Sequence, residues 1–290
     1  MPRSNLRLFV IFPTESGIFF DTLREGMQKA AKELARHNVK IEFLETKSHN
    51  ASRQLQILAH AIDLKPDGIV IIPASATQLN FLIDEATDND IPVVTVADDA
   101  PYSKRLFYVG ADNYACGRLC GELMGNFLCS DGNVIILSGS TELYTLKQRT
   151  AGFKDKLKTS FPNIKISKII SYDESEEDHF SPVIKKLSNL NDYNGIFVTS
   201  ALGTLALTNA FDNIELPSPL KVIGFEPNQL TAKYLMQGNF SALIFQDSFM
   251  QGYLSLKILY DYLSHGIVPE KDCVNTRIEI VLRENIEKFI

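Results

Sequence analysis

The sequence has no tryptophan among its 290 residues and only four cysteines, Cys116, Cys120, Cys129 and Cys273. Their spacing fits neither CxxC nor a zinc ribbon, so buried free thiols are expected rather than a disulfide framework. The five histidines, His37, His49, His60, His179 and His265, show no HxxxH or HExxH spacing, and no metal site is expected. GxxxxGKS/T, GxGxxG and GxSxG are all missing, which removes the signatures of a phosphate cradle, a dinucleotide fold and a serine nucleophile. Neither an enzyme nor a bound cofactor is therefore expected. Basic residues are in deficit, 29 Lys and Arg against 35 Asp and Glu for a net charge of -6. A surface made to hold phosphates would be basic, so the chain by itself is not expected to bind nucleic acid. Long hydrophobic runs are lacking too. The first apolar stretch, Leu6 to Pro13, is too short for a signal core or a bilayer span. With the free thiols, it gives a cytoplasmic location and no membrane partner as the expectation.

What is present is a globular composition, 45% hydrophobic and 22% charged, that buries substantial cores. Leu6 to Phe12 is almost continuously apolar and predicts a strand buried on both faces. Phe20, Leu23, Met27, Ala30, Ala31 and Leu34 then recur at helical spacing. Strand and helix go on alternating through Ile91, the pattern of a parallel, doubly wound sheet. The stretch Ile91 to Glu122 breaks the rhythm. It reads as two strands with no helix between them, parted by the turn Asp98-Asp99-Ala100-Pro101. Such an interruption marks where one open sheet ends and another begins. Alternation restarts at Tyr114, with an acidic segment before a helix near Ser181 to Leu187. The tail adds an amphipathic helix, Met250 to Leu263, and one alternating strand, Thr276 to Leu282. The expected fold is α/β: two doubly wound parallel-sheet lobes joined by a three-segment hinge. The first lobe takes 5–112 with 247–275, and the second 113–246 with 276–290.

Ligands of open α/β sheets bind at the carboxyl ends of the strands, and that rule selects the candidate residues. Phe19 and Phe20 open the first helix, and Phe19 is the one expected to offer a ring face. Asp98 and Asp99 stand at the switch, one of them a ligand acceptor. Lys147 and Arg149 start the second helix of the second lobe. Glu226 and Gln246 each follow an apolar strand, where a polar side chain needs a partner.

Seven segments together resemble the periplasmic-binding-protein-like effector domain of LacI-type transcription regulators, a fold similar to that of ribose-binding proteins. They are FFDTLREGMQKAAKEL, DGIVIIPAS, IPVVTVADDAPYSKRLFYVGADNYACGR, QRTAGFKDKL, KVIGFE, ALIFQDSFMQGYLSLKILYDYL and TRIEIVLREN. The resemblance implies a type I periplasmic-binding-protein fold with an aromatic pair at Phe19 and Phe20. It puts the sugar-clamping cation at Lys147, the strand-end acid at Glu226 and the hinge glutamine at Gln246. The chain departs from the pattern where an acid is expected after Val96 and Ala97 stands instead. It departs again where an Asn-Asp pair is expected and Ser200-Ala201 stands. It implies a ligand-sensing, dimerising domain that closes on a small sugar-like effector, with operator DNA reached through a helix-turn-helix not in these residues. The rival reading is the soluble substrate-binding protein of a sugar ABC transporter.

Overall fold

A computed structural model describes residues 5–13, 17–46, 50–140, 142–172, 187, 190–211 and 219–290. Apart from Tyr172 and Leu187, the acidic segment and the helix expected after it lie outside the described residues. Two compact units result, Met1–Ala111 with Glu142–Tyr144 and Asp247–Arg277, and Asp112–Thr141 with Thr145–Gln246 and Ile278–Ile290.

In the first unit the chain runs β1 (Arg7–Pro13), α1 (Ile18–Leu34), β2 (Lys40–Thr46), α2 (Ala51–Asp63), β3 (Gly68–Ile71), α3 (Asn80–Asp88), β4 (Val93–Val96) and β5 (Phe107–Gly110). In the second it runs α4 (Asn113–Phe127), β6 (Gly132–Ser138), α5 (Tyr144–Ser160), β7 (Ile164–Ser171), β8 (Gly195–Val198), α6 (Ala201–Phe211), β9 (Lys221–Phe225), α7 (Gln229–Gln237) and β10 (Ala242–Phe245). The first unit is then completed by α8 (Ser248–His265) and β11 (Cys273–Asn275), and the second by β12 (Glu279–Val281). The sheet orders are β11-β5-β4-β3-β1-β2 and β12-β10-β9-β8-β6-β7. Among the described residues all pairings are parallel except β10 with β12. Of the strand expected at Thr276 to Leu282 only Glu279–Val281 (β12) forms one, and β11, just before it, pairs in the other sheet. The bond from the Thr276 amide to the Gly110 carbonyl, 2.8 Å, ends the pairing of β11 with β5 just before the chain changes unit.

The strands at the centre of each sheet are apolar on both faces because helices cover both, and β3, β4, β8 and most of β9 are wholly buried. One helix pair recurs in each unit. In the first, Gly26 of α1 and Gly252 of α8 let the two backbones touch: a Cβ on Gly26 would collide with the Phe249 carbonyl, and one on Gly252 with the Leu23 carbonyl. In the second, Gly152 of α5 meets the Tyr114 carbonyl and Gly117 of α4 meets the Arg149 carbonyl. Gly26 and Gly152 are both the ninth residue of their helices, and Gly252 and Gly117 both the fifth. The N-caps match as well. Asp112 accepts from the Ala115 amide at the start of α4, and Asp247 from the Met250 amide at the start of α8. Among the described residues no helix is long and apolar enough to cross a membrane.

Candidate functional site

Three polar side chains at the carboxyl ends of the second sheet are almost completely buried: Arg149 at 3% exposure, Glu226 at 4% and Gln246 at 3%. Arg149 lies on the buried stripe of α5 with Leu146, Phe153 and Leu157, which carries it inward. Its Nε donates to Asn113 Oδ1 at 2.9 Å, one terminal nitrogen to the Thr199 carbonyl at 2.8 Å and the other to Gln246 Oε1 at 2.5 Å. The guanidinium also stacks on Phe225, 4.1 Å from the ring centre. Phe225 stands in a row of rings, since Phe197 packs on it and lies flat against Phe153 at 4.3 Å. A charge so placed is held by three acceptors and a ring face, and it fixes the side-chain amide of Gln246. Glu226 follows β9 in a left-handed conformation, φ 60°, which costs a residue with a Cβ about 1–2 kcal/mol. Strain of this kind gathers at ligand sites.

The first unit is built differently at the same ends. Phe19 and Phe20 are both half-buried and meet edge to face at 5.3 Å, with Phe20 against Phe12 at 6.2 Å. The division into one ligand ring and one core ring is not visible in their burial. Asp99 is engaged internally: its carboxylate accepts from Thr95 Oγ1, the Ala100 amide, and Arg105 through Nε at 2.5 Å and a terminal nitrogen at 2.8 Å. Arg105 in turn reaches the Asp272 carbonyl at 3.1 Å, tying the switch turn to the start of β11. Asp98 is also buried, and one of its oxygens accepts from the Asp99 amide at 2.7 Å. Before it, Ala97 is left-handed at φ 63°, and the Asp98 amide reaches back to the Val96 carbonyl at 2.7 Å, a tight three-residue turn.

Two further candidates have other surroundings. Lys147, given the cation's role by the resemblance, is exposed and lines a separate cavity of about 320 Å³ with Lys154, Ser138 and Ser171. The buried cation is Arg149. Ser200 caps α6, its hydroxyl accepting from the Gly203 amide at 3.0 Å and sharing a 2.6 Å bond with the Tyr172 hydroxyl. The sequence reading missed Asn113, Thr199, Phe225 and Arg105. The helical spacing of Leu146, Arg149 and Phe153 was the signal that separates Arg149 from Lys147. A larger cavity of about 620 Å³ opens at the other ends of the second sheet's strands, where Lys221 starts β9 and Ser241 precedes β10. It brings together none of the candidate residues.

All four cysteines are free, but only Cys116 and Cys120 are buried; Cys129 is exposed and Cys273 half-buried, against the expectation for all four. Burial pushes the Cys116 thiol up to about 11, with nearby Arg149 pulling the other way. Among the described residues no three potential metal ligands cluster.

A family model described as a periplasmic binding protein domain matches residues 8–266. The ribose import binding protein RbsB of Haemophilus influenzae is 25% identical over 82% of this chain and 79% of its own length. The D-ribose/D-allose-binding protein of Pseudomonas aeruginosa is 24% identical over 95% of this chain and 88% of its own. A carbohydrate transporter solute binding protein from Agrobacterium radiobacter, solved in complex with D-arabinose, superposes with a TM-score of 0.87 at 25% identity, covering 99% of each chain. The fold is therefore the two-lobed type I periplasmic-binding-protein fold. The same findings overturn the regulator reading: the relatives are binding proteins of sugar import, and the effector resemblance reflected a shared fold. Operator DNA goes with it, and so does the ground for a homodimer, which rested on two DNA half-sites. The cytoplasmic location is overturned as well. Thiols as buried as Cys116 and Cys120 are shielded from oxidants in any compartment, so they do not report one.

Proposed function

We infer the function from one premise: the chain belongs to the periplasmic binding protein domain family. It is the soluble substrate-binding protein of a sugar ABC transporter, working outside the cytoplasm. The observation that carries this reading is the buried set Arg149, Gln246 and Glu226 at the carboxyl ends of the second sheet. An amide held rigid by a guanidinium, with a buried carboxylate at the end of a strand of the same sheet, offers acceptors and donors suited to vicinal hydroxyls. The first unit, taken by itself, carries ring faces at Phe19 and Phe20 and a buried carboxylate at Asp98, chemistry that also suits a sugar. Relatives named for ribose, allose, arabinose, fructose and xylose support a monosaccharide-sized ligand.

Thermal shift and calorimetry with D-ribose, D-allose, D-arabinose, D-fructose and D-xylose test the reading. A sugar present at about 100 times its Kd adds about 2.7 kcal/mol of stability, and Glu226→Gln should weaken that sugar's binding tenfold or more. The absence of a shift with every pentose and hexose at millimolar concentration overturns it.

A further inference from the structure

The cavity of about 320 Å³ beside α5 lies within the second unit alone and includes none of Arg149, Glu226 and Gln246. One stripe of α5 forms a wall of it, since Thr150, Ala151 and Lys154 follow Lys147 at spacings of three, four and seven residues. The facing wall comes from the ends of β6 and β7, with Ser138, Ile169 and Ser171. Ala151 leaves the space between the two lysines open. Their Cα atoms are two turns apart, about 10.5 Å, and flexible four-carbon stems can bring both ammonium groups onto one group held between them. Among the described residues no carboxylate lines the cavity, and neither lysine has an ion pair. Lys156 of the same helix shows the ordinary arrangement, paired with Glu122 at 3.0 Å. In a chain with a net charge of -6, two cations facing one hollow with no acid beside them attract an anion. Hydroxyls add to the attraction. The buried Ser138 hydroxyl accepts from Thr199 Oγ1 at 3.4 Å and keeps its own proton for an acceptor in the cavity, and Thr150 brings another hydroxyl.

We propose that this cavity binds a phosphate monoester of a small organic molecule, at a site that does not depend on the sugar reading. A monoester carries a charge of about -1.5 to -2 at pH 7, which two ammonium groups match. Its oxygens accept from Lys147 and Lys154 and from the hydroxyls of Ser138 and Thr150. The organic group lies against Leu146 and Ile169, the latter 44% exposed, and covering that apolar surface favours the ester over bare phosphate. The volume stands at the lower end of the range for small-molecule sites, about 300–1,000 Å³, so the ligand has few atoms.

Calorimetry on the whole chain at pH 8 and low ionic strength tests this, with phenyl phosphate and inorganic phosphate as probes. Phenyl phosphate should bind one to one and at least threefold tighter than inorganic phosphate. Lys147→Ala and Lys154→Ala should each weaken it tenfold or more, and Ile169→Glu, which sets a carboxylate in the cavity, should abolish it. Lys158→Ala removes an exposed lysine of the same helix that does not line the cavity and should leave the affinity within about twofold; melting curves confirm that each variant folds. The proposal is overturned if phenyl phosphate shows no binding at millimolar concentration, or if neither Lys147→Ala nor Lys154→Ala weakens it. It is also overturned if Lys158→Ala weakens binding as much as they do, which marks a diffuse attraction of anions to the helix. Inorganic phosphate binding as tightly as phenyl phosphate overturns the ester and leaves the free ion as the ligand.

Discussion

Arg149→Met should unfold the second unit early while leaving the first unchanged. The substitution keeps the apolar stem and removes a guanidinium that serves three acceptors, Asn113 Oδ1, the Thr199 carbonyl and Gln246 Oε1, and a ring, Phe225. Hydrogen bonds to a charged group contribute about 1.5–3 kcal/mol each, and a buried cation over a ring about 1–2 kcal/mol. Their simple sum overshoots, because arginine loses its hydration on burial at a cost of several kcal/mol. A net loss of about 3–4 kcal/mol is expected, on the order of 10 °C in the melting of a unit this size. Two units make a single two-state fit unsafe, so the assay is urea-dependent hydrogen exchange read by mass spectrometry, segment by segment. Protection should fall in α5, β9 and β10 and hold in β1, β3 and β4. Arg149→Lys should fall between, since one ammonium does not span three separated acceptors. Exposed Lys147→Ala should stay within about 0.5 kcal/mol. A change below about 1 kcal/mol in Arg149→Met, or an equal change in both units, refutes the reasoning.

Three other outcomes are expected. Gly152→Ala puts a Cβ into the Tyr114 carbonyl and should cost about 1–3 kcal/mol by overpacking, read by urea denaturation; a neutral result would mean the α4 and α5 backbones part easily. Asp99→Asn breaks a pair with Arg105 whose side chains are 7% and 5% exposed, so about 3–5 kcal/mol should be lost from the first unit, with exchange rising in β4, β5 and β11; unchanged exchange there would count against the pair. Iodoacetamide at pH 8 should label exposed Cys129 in the native protein and spare Cys116, whose thiol burial holds at about 11; peptide mapping before and after unfolding checks this.

Much of the fold was legible because both faces of each sheet are covered. The continuous apolar run that became β1 fits a strand covered on both faces, and α1 shows its buried side as Leu23, Met27, Ala30 and Leu34. The tail was harder. Residues 276–282 alternate as one strand would, but only Glu279–Val281 is strand, and no local pattern shows that β11 just before it belongs to the other sheet. The candidate site was easiest to nominate where a polar residue directly follows an apolar strand, as Glu226 and Gln246 do. It was obscured within α5, where Lys147 and Arg149 lie two residues apart and so on different sides of the helix. It was obscured again at Asp99, since the partner Arg105 comes from the same turn and no spacing marks a buried ion pair. The function was misassigned for another reason: a regulator's effector domain and a transport receptor share one scaffold, and scaffold residues carried the resemblance.

The matched helix pairs differ in one respect that concerns the order of synthesis. In the second unit, α4 and α5 are separated only by β6 and its loops, so their glycine faces meet soon after both leave the ribosome. In the first unit, α1 waits for α8, and the whole stretch from Leu34 to Ser248 is made in between. At about 5–20 residues per second that interval lasts on the order of tens of seconds. During it the face of α1 around Leu23, Gly26 and Met27 lacks its α8 cover, while the α4 and α5 faces have already met. A nascent chain released before α8 should therefore hold α4 and α5 already paired but α1 uncovered, which makes α1 the segment that a holding chaperone would find exposed.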